Sequence, residues 1–262
     1  LKTRLPPHVF VPLAVFLWGA GAVRFPGGGP AGAVLAWTLI AQFRLWDDLA
    51  DRHEDRVRDP DRDLVRARSL LPFRLLAAAL FVGNAAWLAL PTPRPLLLPF
   101  LILSGLLLAW YAGLRRLIRG PILRSHLLLL KYPTIAYLVA APPRLLADAV
   151  FLILLALVYL TFCVYEVLHD DRCGAAPGAA GVLGLEMAGM AALAVVLAGN
   201  ALQAVAAALG AAVLAVLYHR HRRGRLRAPW PYAVFLVVFA WLLSYALAPA
   251  APLWPLDTEG AY

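Results

Sequence analysis

Cysteine is nearly absent from this 262-residue sequence, which has two in all, and neither stands where a disulfide framework would place it. Cys163 lies inside an apolar run and Cys173 beside acidic residues, so neither a bridge nor a Cys-based metal site is expected. Charge is scarce too: 15% of residues are charged against 62% hydrophobic, and a mean hydropathy of +0.74 excludes the soluble globular class. Acidic residues are outnumbered 15 to 24 by Lys and Arg, giving a net charge of +9. In a soluble domain that balance would suggest nucleic acid. Here the basic residues fall between hydrophobic runs, so membrane topology accounts for them and no nucleic-acid partner is expected. No small-residue cleavage site closes the first apolar stretch near Val9, so a cleaved signal peptide is not expected. The phosphate-binding G-x-x-x-x-G-K-[ST], the nucleophile elbow G-x-S-x-G and the zinc motif H-E-x-x-H are all missing.

What is present is a series of apolar runs. Nine of them, at 8–24, 30–48, 69–90, 95–114, 124–143, 145–168, 181–199, 200–218 and 231–250, are long enough to cross a hydrocarbon core that takes about 20 apolar residues. The expected fold is all-α: one membrane-embedded, polytopic domain over 1–262 with nine transmembrane helices. Short connections such as Gly199-Asn200 and Pro91 to Pro95 fit antiparallel hairpins. Pro6, Pro72, Pro121, Pro133 and Pro229 lie close to helix starts, where a missing amide hydrogen matters little. Lys2, Arg4, Arg52 to Arg68, Arg115 to Arg124, Arg172 and Arg220 to Arg227 fall on one side, and only Arg24, Arg94 and Arg144 on the other. The positive-inside rule makes the first side cytoplasmic, with the N-terminus inside and the C-terminus, carrying Asp257 and Glu259, outside a cell membrane.

The acidic residues are not spread evenly. Eight of the 15 lie between Asp47 and Asp63, and three more are Glu166, Asp170 and Asp171. If the second helix continues through Asp47-Asp48-Leu49-Ala50-Asp51-Arg52-His53-Glu54-Asp55, then Asp48, Asp51 and Asp55 stand at i, i+3 and i+7 on one face. Like charges so placed disfavour an isolated helix by roughly 0.2–0.5 kcal/mol per pair, which calls for a compensating cation. An all-carboxylate ligand set suits a hard ion such as Mg2+ or Mn2+, and Mg2+ tends to share its shell with substrate phosphates. Glu166 and Asp170 form a second pair at i, i+4 that suits a second ion. Solvated helix ends pairing with nearby arginines are the alternative for either cluster alone.

These residues resemble the UbiA superfamily of intramembrane prenyltransferases, whose members have nine transmembrane helices, an N-D-x-x-D-x-x-x-D motif after the second and a D-x-x-x-D type motif after the sixth. Asp47 to Asp55 matches the first motif with Asp47 in place of the asparagine. Arg58-Asp59-Pro60-Asp61-Arg62-Asp63-Leu64 is similar to the family's K-P-x-R-P-L stretch, with Asp63 where a proline is usual. Glu166-Val167-Leu168-His169-Asp170 looks like the second motif with its first aspartate changed to glutamate, and lacks a further aspartate downstream.

The resemblance implies Mg2+-dependent transfer of a prenyl group from an isoprenyl diphosphate donor to a hydrophobic or aromatic acceptor, among membrane lipids, as in quinone biosynthesis. Asp47, Asp48, Asp51 and Asp55, with Glu166 and Asp170, are the expected metal ligands, and Asp51 and Asp170 the expected catalytic pair. Arg58, Arg62 and Lys131 are candidates to touch diphosphate oxygens. Lys131, in or at the edge of the fifth run, has snorkelling to the interface as its other explanation. Arg44 is expected to pair with Asp47 or Asp48. Tyr111, Tyr132, Tyr137, Tyr165, Trp46 and Trp110 could face a carbocation, although an interfacial aromatic belt is the simpler reading. A divalent-cation transporter is the competing function, and would need carboxylates at mid-membrane in broken helices. Glu186 and Asp148 are expected near helix ends instead. A non-catalytic isoprenoid-binding homologue is the third reading.

Overall fold

The computed structural model describes residues 7–25, 29–58, 60, 63–90, 96–142, 149–224 and 230–247. The helices are α1 Pro7–Ala22, α2 Ala31–Ala50, α3 Arg52–Arg58, α4 Asp63–Arg66, α5 Leu71–Leu88, α6 Leu97–Ala109, α7 Arg115–Leu117, α8 Pro121–Leu129, α9 Lys131–Ala140, α10 Ala149–His169, α11 Asp171–Gly174, α12 Ala179–Leu197, α13 Ala201–Arg222 and α14 Ala233–Leu247. Among the described residues, five helical stretches are long and apolar enough to cross a membrane: Leu71–Leu88, Ala149–His169, Ala179–Leu197, Ala201–Arg222 and Trp230–Leu247. Their outward faces are greasy, with Leu185, Leu209 and Leu236 exposed by 76%, 65% and 68%. Such faces belong against lipid. Helix α2 is as long as these, but Arg44, Asp47 and Asp48 occupy its last two turns.

The run at 124–143 does not form one continuous helix. It divides at Leu130 into α8 and α9. Pro133 explains the break, because it has no N–H for the Leu129 carbonyl and its ring crowds that carbonyl. The Leu130 carbonyl accepts from the Thr134 hydroxyl at 2.9 Å and from the Thr134 amide at 3.4 Å.

The chain forms two compact units, one comprising 1–119 with 130–147 and the other 120–129 with 148–262. In the first, α2 packs against α1, α5 and α9. Helix α1 also packs against α9, and small residues set the approach of α1 to both neighbours: a Cβ on Gly21 would lie 2.7 Å from the Ala140 Cβ of α9, and one on Gly32 of α2 would lie 2.8 Å from the Trp18 ring. Backbones that close exclude larger side chains, as is usual between membrane helices. A polar ladder joins α2 to α5: the Thr38 hydroxyl donates to Asn84 Oδ1 at 2.7 Å, and Asn84 Nδ2 donates to Gln42 Oε1 at 2.8 Å. Asn84→Leu removes both bonds and strands Gln42, so a loss of about 1–2 kcal/mol in unfolding free energy is expected, measured by unfolding in detergent. Trp46 stacks on Phe81, which stacks on Phe100, while Trp110 is buried. Trp46 is half-buried against the core of the first unit formed by Leu45, Leu64 and Ala77.

The second unit is organised on α10, which packs against α8, α12 and α14. The α12 to α13 hairpin closes where the Gly199-Asn200 spacing predicts. Asn200 caps α13 by accepting from the Gln203 amide at 2.9 Å, while Gln203 Oε1 accepts from the Gly199 amide at 2.7 Å. This reciprocal pairing satisfies amides that the start of a helix leaves without intrahelical partners. A Cβ on Gly210 would stand 2.8 Å from Val237 Cγ1, so α13 and α14 also meet closely.

Candidate active site

Helix α2 ends at Ala50 with Asp51 as its C-cap, yet the hydrogen-bond ladder continues through the junction: the Asp51 amide donates to the Asp47 carbonyl and the Asp55 amide to the Asp51 carbonyl, each at 2.9 Å. The aspartates therefore stay on a nearly helical path. Asp47, Asp48 and Asp55 are buried, where an uncompensated carboxylate would be strongly disfavoured. Compensation includes Lys131, Tyr111, Arg115 and Arg44. Lys131, buried at the start of α9, pairs with Asp47 Oδ2, and Tyr111 donates to Asp47 Oδ1. Arg115 pairs with Asp51 Oδ1, and Arg44 lies 3.6 Å from Asp48, one turn away on α2.

Tyr111 and Arg115 owe their reach to a local irregularity. Residues Trp110–Leu114 form a π-turn that follows α6, and such turns tend to occur where side chains must be re-aimed. Tyr111 and Arg115 are four residues apart, as are Asp47 and Asp51, so they meet as two rungs. Arg115 also donates to the Ala50 carbonyl at 3.4 Å, at the C-terminal end of α2. Arg52 holds the returning loop, donating to the carbonyls of Leu64 at 3.1 Å and Ala67 at 3.3 Å.

Lys131 thus reaches Asp47 rather than snorkelling outward, and Arg44 pairs with Asp48 as the sequence leads one to expect. Arg58 lies on α3, with its side chain outside the described residues, and Arg62 lies outside them altogether. In this cluster the four aspartates face Lys131, Arg44 and Arg115. Its donors are all oxygen, the class that suits Mg2+. The residues present therefore fit a hard divalent ion.

The second carboxylate pair belongs to the second unit. Glu166, near the end of α10, accepts from the Ser125 hydroxyl at 3.0 Å. Asp170 caps α11, accepting from the Arg172 amide at 2.8 Å and from its guanidinium at 2.8 Å and 3.2 Å. Ligand atoms of Glu166, Asp170 and Cys173 lie within 4.8 Å of one another, so the two carboxylates converge as the i, i+4 spacing predicts and Cys173 joins them. Partial burial raises the Asp170 carboxyl, but the hydrogen bonds and charge of Arg172 outweigh it and hold the group below its ordinary value. A depressed carboxylate adds stability above its unfolded-state pKa and loses it as pH falls through the folded value. Arg172→Ala should therefore flatten the acid-side fall in thermal midpoint, measured from neutral pH into the range where carboxylates titrate.

Sequence reasoning missed one constellation in this unit. Glu186 is not near a helix end: it lies well inside α12, is buried, and pairs with His126 of α8. The signal was a lone ionisable residue in an apolar run. Tyr159 donates to the His126 carbonyl at 3.2 Å.

A solved UbiA homolog from Aeropyrum pernix K1, in its apo form, matches this structure with a TM-score of 0.64 over 90% of this chain and 97% of that one, at 21% sequence identity. No family model and no curated protein matches the sequence. The likeness shows the fold: this chain is folded as that UbiA homolog is, in agreement with the resemblance carried by Asp47 to Asp55.

Proposed function

We propose that this chain is a membrane-embedded prenyltransferase that moves an isoprenyl group from its diphosphate to an aromatic or other lipid-soluble acceptor. The observation that carries this reading is the buried set of aspartates at the end of α2, in a chain with the fold of a UbiA homolog. In this reading the chain crosses the membrane nine times, the shorter apolar helices joining the five long ones, with its N-terminus and both carboxylate clusters on the cytoplasmic side.

Asp48, Asp51 and Asp55 would hold one Mg2+, with Asp47 adjoining, and Glu166 with Asp170 a second. An ion held by Asp48, Asp51 and Asp55 would offset negative charge growing on the diphosphate as its C1–O bond breaks. The chain's own residues do the remainder. Arg115 can leave Asp51 for a diphosphate oxygen, offering two parallel N–H donors where Lys131 offers a point charge. Arg58 and Arg62 add basic groups on the stretch that follows. Tyr111 and Lys131 engage the two oxygens of Asp47 between them and so fix the orientation of that carboxylate beside the other three aspartates.

Incubation of the purified protein in detergent with labelled geranyl, farnesyl and longer diphosphates, Mg2+ or EDTA, and a panel of aromatic acceptors tests the proposal. Metal-dependent diphosphate release with a prenylated product is expected. Binding without turnover would instead indicate a non-catalytic isoprenoid-binding protein.

A divalent-cation transporter is the second reading, favoured by buried Glu186 and by the break at Leu130. Mg2+ or Mn2+ flux into liposomes that carry the protein, without turnover of any diphosphate, would favour it over prenyl transfer.

A further inference from the structure

His126, Cys163 and Glu186 come from three different helices, α8, α10 and α12 of the second unit, and one ligand atom from each lies within 4.8 Å of the others. Cys163 is fully buried and Glu186 is 8% exposed. Glu186 Oε1 meets His126 Nε2, but Glu186 Oε2 and His126 Nδ1 have no hydrogen-bond partner among the described residues. A buried carboxylate with one oxygen left over is disfavoured in an apolar surround. A single cation would satisfy it.

We propose that His126, Cys163 and Glu186 form a binding site for a borderline-soft divalent transition metal, of which Zn2+ is the type. The ligand chemistry separates it from the Asp47 to Asp55 cluster, because thiolate and imidazole select Zn2+-like ions whereas carboxylates alone suit Mg2+. Charge balance favours it as well. A neutral imidazole, a carboxylate and a thiolate around a divalent ion sum to zero, which suits a buried setting. On binding, the Cys163 S–H bond breaks and its proton leaves to solvent as the sulfur to metal bond forms, with no change of oxidation state. Ligand atoms this close need only small rotamer changes to meet metal-ligand distances of about 2.0–2.3 Å, and three protein ligands leave a fourth position open.

The site does not depend on the prenyl-transfer reading, since its test uses no isoprenoid. Full-length protein in detergent is stripped with chelator and titrated with Co2+. Intense visible bands of a tetrahedral ion and a near-ultraviolet thiolate-to-cobalt charge-transfer band are expected, both displaced by Zn2+. Cys163→Ser should abolish the charge-transfer band, and Glu186→Gln should weaken Zn2+ affinity by more than about tenfold. Cys173→Ser should leave both unchanged, which separates this site from Glu166, Asp170 and Cys173. Circular dichroism confirms that each variant is folded. If Cys163→Ser does not fold, the parent's charge-transfer band with the Cys173→Ser and Glu186→Gln titrations decides. Absence of that band in the parent, its loss in Cys173→Ser, or unchanged affinity in Glu186→Gln overturns the proposal.

Discussion

Asp51→Asn is expected to release diphosphate about 100 to 1000 times more slowly than the parent protein, the loss typical when one preorganised charge-stabilising group is removed from such a site. The fold should hardly change. The Asp51 side chain is 41% exposed and that of Arg115 27%, so their ion pair contributes at most about 1 kcal/mol to stability. Catalysis and folding therefore separate in this variant. The Mg2+ concentration for half-maximal rate should rise, because one anionic ligand has become neutral. Parent-like turnover at the parent's Mg2+ requirement would remove Asp51 from the mechanism, and a large fall in thermal midpoint would recast it as a structural residue.

Lys131→Met should have the larger effect on stability, for the opposite reason. The Lys131 and Asp47 side chains are 5% and 10% exposed, so both charges are withdrawn from solvent. Removing one partner leaves the other buried and uncompensated, which costs about 3–5 kcal/mol. Tyr111 would still hold one oxygen of Asp47, but a neutral donor does not offset a charge. The double variant Lys131→Met with Asp47→Asn removes both charges and should recover most of the loss. Unfolding of the two single variants and the double completes the cycle, and additive losses would mean that the two residues do not interact. The cycle also bears on the departure from the motif. Where the UbiA pattern has asparagine this chain has Asp47, and the extra negative charge sits against a buried lysine.

Local spacing made much of this legible beforehand. The i, i+3, i+7 placement of Asp48, Asp51 and Asp55 needs only a helix that persists across a few residues, and the hydrogen bonds through Asp51 maintain it. The Gly199-Asn200 turn and the pairing of Arg44 with Asp48 depend on neighbours within four residues. Pro133 carried the information for the break at Leu130, but the run of leucines before it reads as one uninterrupted span. The distant partners of the aspartates were not legible. Tyr111 and Arg115 are 64 residues from theirs and Lys131 is 84 from Asp47, distances over which periodicity says nothing.

The sequence by itself determined that the chain is helical and apolar, and that its carboxylates gather in two short stretches with metal-binding spacing. Both properties follow from composition and from the 3.6-residue repeat. Only tertiary structure decided that Asp47 is held by Lys131 and Tyr111, that Asp51 meets Arg115 through a π-turn, and that His126, Cys163 and Glu186 converge. In each case the meeting depends on which helix faces approach, and close approach is set by residues such as Gly21 and Gly32 whose neighbours lie on other helices.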